Sequence, residues 1–140
     1  MPASETVWKD RIQKLMPDVK MEQIEINQEG LINDVVIVNH ELVFRFAKTQ
    51  EHTRLLDTEI KILDLIRPSV SLEVPSPFYK DTGVVVYRLL PGQPLRLEDV
   101  LDLDTRSQQG LAEQIGKFLH ELHTLRISDL TWTMRQPVLT

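Results

Sequence analysis

The fold is decided by residues 30–48, GLINDVVIVNHELVFRFAK, which hold two short apolar segments on either side of a turn. Residues 35–38 are apolar and β-branched, as expected of a strand, and residues 42–46 form a second apolar segment. Asn39-His40 between them suits a two-residue turn, because asparagine tolerates positive φ. The stretch therefore predicts a β-hairpin.

Apolar periodicity on both sides of this hairpin predicts further helices and strands. The helices are predicted at 4–16 (capped by Ser4), 51–66, 97–101 and 105–125 (capped by Thr105), and the additional strands at 21–27, 78–80 and 84–89. Together these elements predict an α+β fold with a five-stranded antiparallel sheet. The break at Leu90-Pro91-Gly92-Gln93-Pro94 predicts a hinge, and thus two parts, 1–90 and 91–140.

Composition restricts the class of partner. The 140 residues carry a formal net charge of -5, so no basic field is available for nucleic acid or an anionic membrane. The sequence has no cysteine, which excludes disulfides and cysteine-ligated metals. It has no apolar run of membrane-spanning length and no signal-peptide pattern, so we expect a cytoplasmic protein.

Glu59 is the first residue whose position suggests chemistry. In the predicted helix 51–66 it lies on the same face as the leucines, where a carboxylate needs a cation and hydrogen bonds. Arg45 and Lys48, at the end of the preceding strand, are the available cations. The alternative is a solvated carboxylate at the edge of the apolar stripe, which is the commoner situation for glutamate.

Two backbone segments suggest ligand contacts. The turn Gly30–Asp34 could present amides to phosphate, because glycine allows close approach of the backbone. The strand end Tyr87-Arg88-Leu89-Leu90-Pro91-Gly92 could offer free N–H and C=O groups to a purine base. Each segment taken alone is also compatible with an ordinary structural turn.

In this order and spacing, the motifs resemble those of the aminoglycoside phosphotransferase family. The resemblance covers about 30–123 and is carried by Gly30-x-x-Asn33-x-Val35, Val43-Phe44-Arg45-Phe46-x-Lys48, Glu59 on its helix, Val74-Pro75-x-Pro77, Tyr87-Arg88-Leu89-Leu90-Pro91-Gly92 and Phe118-Leu119-x-x-Leu122-His123.

The resemblance implies a protein-kinase-like N-terminal lobe with a C-type helix, followed by a hinge and the start of a helical C-lobe. It implies ATP or GTP with Mg²⁺ as cofactor and a small-molecule hydroxyl, such as that of an aminoglycoside, as acceptor. Arg45 occupies the position of the family's phosphate-binding lysine, and Lys48 is its rival on the opposite face of the strand. The implied nucleotide-binding residues are Gly30, Asn33, Asp34, Val35, Arg45, Lys48, Glu59, Arg88, Leu89 and Leu90.

The family's catalytic loop, H-G-D-x-x-x-x-N, is absent from the sequence, since none of the four histidines begins such a run. Asp102-Leu103-Asp104 precedes a helix and is expected to cap it, and His120 with His123 lacks a third metal ligand. We therefore expect no catalytic residue and no metal site in this chain, which would be an inactive fragment.

One further expectation follows from the absence of the rest of the catalytic lobe, and one alternative function stays open. The apolar face of the helix 105–125 (Phe118, Leu119 and Leu122) would be exposed and could cause self-association. The alternative to a transferase fragment is a non-catalytic nucleotide-binding or interaction module with the same lobe.

Overall fold

A five-stranded antiparallel sheet forms around the predicted hairpin in the computed structural model, which describes residues 4–125. The elements are α1 (Glu5–Leu15), β1 (Ile24–Asn27), β2 (Asn33–Val38), β3 (Leu42–Ala47), α2 (Gln50–Ile66), β4 (Tyr79–Asp81), β5 (Val84–Arg88), α3 (Leu97–Leu101) and α4 (Thr105–His123), with a short 3₁₀ turn at Arg67–Ser69 after α2. The strand order is β1-β2-β3-β5-β4. The predicted element types are confirmed, and the bounds differ by at most a few residues.

The two faces of the sheet have different partners, because side chains alternate along each strand. On one face, Trp8 and Ile12 of α1 form the main core with the buried side chains Val36, Val38, Phe44, Phe46, Val84 and Val86. The opposite face carries the buried Val43 and Val85 together with Arg45, which reaches α2. The central strand β3 therefore presents its aromatic side chains to α1 and its arginine to α2.

The turn between β2 and β3 has the predicted left-handed backbone, with φ of 54° at Asn39 and 51° at His40. The Asn39 side chain also ties this turn to the segment before β1. Its oxygen accepts hydrogen bonds from the amides of Glu22 (2.8 Å) and Gln23 (2.9 Å), and its nitrogen donates to the Lys20 carbonyl (2.7 Å). Asparagine is thus required here for its hydrogen bonds as well as for its backbone conformation.

The prediction that Thr105 caps α4 is wrong. Asp104 is the N-cap: its backbone is extended, and its carboxylate accepts a hydrogen bond from the Ser107 amide at 2.7 Å. Hydrogen bonds from Ser107 also lower the pKa of Asp104. The interpretation of Asp102-Leu103-Asp104 as helix-capping acids is therefore confirmed for Asp104.

The described residues group into two compact units, 4–60 with 75–89, and 61–74 with 90–125. In the second unit the Gln108 side chain of α4 donates to the Val100 carbonyl of α3 at 2.8 Å. Ser71 donates to the Glu121 carboxylate of α4 through its amide (3.1 Å) and its hydroxyl (2.6 Å). The predicted domain boundary between residues 90 and 91 stays a prediction.

A search of residues 4–125 identifies no helix with the length and apolar character needed to cross a membrane.

We expect Asn39→Ala to lower the free energy of unfolding by about 3 kcal/mol, because it removes three hydrogen bonds and replaces asparagine by a residue that tolerates the left-handed backbone less well. Asn39→Gly, which keeps the conformation but loses the hydrogen bonds, should cost about half as much. Urea denaturation of the 140-residue chain measures both. The control is His40→Gly, which relieves a left-handed backbone and should not destabilise. Equal stability of Asn39→Ala and the wild type would contradict the assigned role.

Candidate functional site

Arg45 and Glu59 form a bidentate ion pair between β3 and α2. Nη1 donates to Oε1 and Nη2 to Oε2, both at 2.8 Å. The arginine side chain is 17% exposed and the glutamate side chain 42% exposed, so the carboxylate lies at the edge of the cluster while the guanidinium is mostly covered. The predicted pairing of Glu59 with a strand cation is confirmed, and the partner is Arg45.

Burial and the neighbouring charges act in opposite directions on Arg45. Burial lowers the pKa of this guanidinium, but the hydrogen bonds and negative charge of Glu59 outweigh it, so that the pKa is raised. Tyr87 lies next to the pair, and burial raises the pKa of its phenol although the charge of Arg45 opposes this. Arg45 is therefore a permanent positive charge held in a partly desolvated position.

Asn33 also contacts this guanidinium. With its carboxamide oxygen facing Arg45, the orientation that satisfies both groups, it accepts a hydrogen bond from Nη2 at 2.7 Å. Its nitrogen then donates to the Ile32 carbonyl at 3.3 Å. Val35, directly opposite Arg45 in the β2–β3 register, completes this side of the site.

Lys48 lies apart from this pair, as the alternation of β3 predicts. Its ammonium forms an ion pair with Asp34 Oδ1 at 2.8 Å and donates to the Gln28 carbonyl at 2.8 Å. Its amide donates to the Ile32 carbonyl at 3.0 Å. All three contacts are made to residues 28–34, the connection from β1 into the start of β2, which is called the glycine loop below.

Gly30 is required in this loop for space. A Cβ placed on it would lie 2.7 Å from the Asn33 carbonyl oxygen, closer than side chains approach backbone atoms. The adjacent Leu31 is 90% exposed, so the tip of the loop is open to solvent. Glycine here permits a tight turn whose far side faces outward.

At the end of β5, the backbone amide of Leu89 donates to the Glu41 carbonyl at 2.8 Å and so continues the β3–β5 pairing. Hydrogen bonding alternates along antiparallel strands, so the backbone groups of Arg88 point to the other edge of β5. The Arg88 side chain turns away to Glu41, 3.1 Å from its carboxylate, and lies over the Phe78 ring. Leu90 belongs to the second compact unit.

The sequence interpretation placed Tyr87 only in the hinge segment and did not predict its contact with Arg45. Register pairs Val43 with Tyr87 and Arg45 with Val85, so Tyr87 is a diagonal neighbour of Arg45 on one face. The register of β3 against β5 is the signal that would have identified this contact. Asn33 was identified as part of the loop, but its contact with Arg45 was not.

The geometry is suited to an anionic ligand with several oxygens. A fixed guanidinium, oriented by one carboxylate and one amide, lies next to a loop whose backbone can approach closely. Within residues 4–125, no group of three or more histidine, aspartate or glutamate side chains is arranged to hold a metal ion.

Several solved structures share this fold. The chain matches the GDP and kanamycin complex of APH(2")-IIia with a TM-score of 0.82 and 27% identity, covering 93% of this chain and 46% of that chain. The match to ADP-bound aminoglycoside phosphotransferase APH(2'')-Ib has a TM-score of 0.74 and 17% identity, covering 88% and 41%. The match to the apoenzyme of the macrolide 2'-phosphotransferase MphH from Brachybacterium faecium has a TM-score of 0.73 and 19% identity, and it covers 89% of this chain and 46% of that chain.

The chain thus spans less than half the length of these solved proteins. The predicted α+β fold, with the five-stranded antiparallel sheet of a kinase-like N-terminal lobe, is confirmed by the matches. A search of curated protein sequences finds no significant match. The family model described as "Phosphotransferase enzyme family" matches residues 23–138, most of the sequence, and the chain therefore belongs to that family.

Proposed function

We propose that this chain is the nucleotide-binding part of a small-molecule phosphotransferase, which moves the γ-phosphoryl group of ATP or GTP to a hydroxyl of an aminoglycoside-like acceptor. The observation that carries the proposal is the bidentate Arg45–Glu59 pair at 2.8 Å, next to a glycine loop. Structural neighbours described as complexes with GDP and with ADP support nucleotide as the ligand. A cytoplasmic location suits an enzyme that uses these nucleotides.

Arg45 is the proposed phosphate ligand. A guanidinium carries more N–H groups than the contacts to Glu59, Asn33 and Tyr87 use, so a donor remains for a phosphate oxygen. Glu59 keeps the group in one orientation, and partial burial strengthens its field toward a polyanion. Asn33 and Tyr87 restrict the guanidinium further, so that little ordering remains to be done when the ligand binds.

The proposed phosphate cover is the backbone of the glycine loop, which contains Gly30, Asn33 and Asp34, and Val35 follows it in β2 as a further proposed nucleotide-binding residue. Successive backbone amides in such a turn form a concave donor surface for anions. Gly30 allows that surface to form, because a side chain there would collide with the Asn33 carbonyl. The loop would contribute fixed hydrogen-bond donors, and Arg45 the charge.

The base is proposed to pair with backbone groups at the start of the hinge. Arg88 is favoured over Leu89, because the Leu89 amide is already bonded to Glu41. Leu90, two residues beyond Arg88 along the chain, is the proposed second contact.

Mg²⁺ would accompany the nucleotide, as its hard charge pairs with phosphate oxygens. The described residues do not offer a cluster of ligands for it, so no residue between 4 and 125 is proposed as a metal ligand. Neither is a catalytic base proposed, since the sequence contains no H-G-D run.

The second candidate is a non-catalytic nucleotide-binding or interaction module with the same kinase-like lobe. A thermal-shift experiment with ATP and with GTP tests whether the chain binds nucleotide at all. A ligand that binds the folded state raises the melting temperature. No shift with either nucleotide would favour an interaction module without nucleotide.

We expect Glu59→Gln to weaken ADP or GDP binding about tenfold, because the amide cannot hold the guanidinium with a charge-assisted bidentate pair. Titration calorimetry on the 140-residue chain measures the dissociation constant. The matched control is Asp57→Asn on the same helix, whose carboxylate lies 3.7 Å from Lys80 in a half-exposed pair and should change affinity little. Binding by Glu59→Gln as tight as that of the wild type would contradict the role of Glu59.

We expect residues 1–140 alone to bind nucleotide without transferring phosphate to kanamycin, because no H-G-D-x-x-x-x-N run is present to position the hydroxyl. The assay follows radiolabelled γ-phosphate from ATP and from GTP in the presence of Mg²⁺. Labelled kanamycin above the protein-free background would contradict this expectation.

Self-association through α4 is a further proposal. Leu119, like Ile115 on the same helix, is exposed, while Phe118 and Leu122 are partly exposed. Such a stripe of apolar side chains favours pairing of two copies. Light scattering should give a mass above that of the 16.2 kDa chain at high protein concentration, and Leu119→Glu should restore the monomer. A monomer at all concentrations contradicts the proposal.

A further inference from the structure

Lys48 connects the end of β3 to three points of the glycine loop. Its ammonium contacts the Gln28 carbonyl before Gly30 and the Asp34 carboxylate after it, each at 2.8 Å. Its amide contacts the Ile32 carbonyl between them at 3.0 Å. One residue therefore fixes the entry, the middle and the exit of the loop relative to the sheet.

The Lys48–Asp34 pair is sheltered enough for its loss to have an effect. The two side chains are 27% and 17% exposed. Asp34 Oδ1 is buried and has no aligned hydrogen-bond donor among the described residues, so the ammonium 2.8 Å away is what compensates its charge. A buried carboxylate oxygen without a cation is strongly unfavourable, and removing Lys48 would drive Asp34 toward solvent.

Lys48 is also poorly placed to reach the ligand side. Arg45 faces α2, whereas Asp34 and Phe46 are paired on the opposite face of the β2–β3 sheet. Lys48 follows Phe46 by two residues and therefore continues that opposite face. The ammonium already donates to the Gln28 carbonyl and forms the ion pair with Asp34. A phosphate bound at Arg45 would therefore have to break existing contacts to recruit Lys48.

We propose that Lys48 is a positioning residue, whose ion pair with Asp34 holds the glycine loop in its phosphate-binding conformation, while Arg45 supplies the charge. The inference rests on the proposed nucleotide function and refines it, because it predicts which part of the ligand depends on Lys48 for its binding affinity. Contacts from the loop are made to phosphates, so nucleoside diphosphates should depend on Lys48 and nucleosides should not.

The first readout is made on the free 140-residue chain. Hydrogen exchange at the amides of the glycine loop should be faster in Lys48→Met than in the wild type, whereas exchange in α1 stays unchanged. Lys48→Arg, which can keep both polar contacts, should restore much of the protection. Unchanged loop exchange in Lys48→Met would overturn the proposal, whether or not nucleotide binds.

The second readout is calorimetric titration with ADP, GDP, adenosine and guanosine. We expect Lys48→Met to weaken diphosphate binding about tenfold, the factor that follows if the competent loop conformation falls to a tenth of its population. Nucleoside binding should stay within the error of the measurement. Equal losses for nucleosides and diphosphates would indicate a general folding defect and overturn the positioning role.

Asp34→Asn distinguishes positioning from direct phosphate binding. If Lys48 holds the loop, removing the Asp34 charge loosens the loop and weakens diphosphate binding, as Lys48→Met does. If Lys48 instead binds phosphate itself, Asp34→Asn frees the ammonium and removes a nearby negative charge, and diphosphate binding becomes tighter. Tighter binding would overturn the proposal.

A double variant, Lys48→Met with Asp34→Asn, controls for misfolding of the single variants. It removes both charges, so no unpaired carboxylate remains buried, and it should unfold in urea near the wild-type midpoint while its loop still exchanges quickly. Protected loop amides in the double variant would overturn the proposal. If the wild-type chain binds none of the four ligands, the proposed nucleotide function fails, whereas the exchange experiment still decides the role of Lys48.

Discussion

The ion pair between Arg45 and Glu59 is the interaction on which the rest of the site depends. It joins the central strand to α2, and it requires that β3 present its odd-numbered side chains to that helix. The same alternation puts Phe44 and Phe46 into the core against α1. Packing on one face and chemistry on the other are therefore set by a single register, and a slip of one residue would exchange them.

Much of this arrangement could be predicted from the sequence because it depends on local patterns. The Asn39-His40 turn follows from the conformational tolerance of asparagine, and the structure confirms its positive φ values. The position of Glu59 on the helix face that carries the buried Leu56 and Ile60 follows from helical periodicity. The kinase-like lobe was predicted from several motifs that are weak individually, because few other folds contain them in the same order along the chain.

The other features of the site could not be predicted from the sequence, because they depend on distances between residues that lie far apart in the chain. Alternation alone separated Arg45 from Lys48 but could not decide which of them reaches Glu59. The contact of Tyr87 with Arg45 was missed because it depends on how β3 and β5 align across the helix between them. The choice of Asp104 over Thr105 as a cap depends on backbone angles, and either residue type is suited to that role.

The contact between the β2–β3 turn and the end of β5 has a consequence for variation in this chain. Glu41 is bonded there twice, by its carbonyl to the Leu89 amide and by its carboxylate to Arg88. An insertion or deletion in this surface turn would displace the segment proposed to recognise the base, although the two lie 47 residues apart. Loop-length tolerance, normally high at exposed hairpins, should therefore be low at this one.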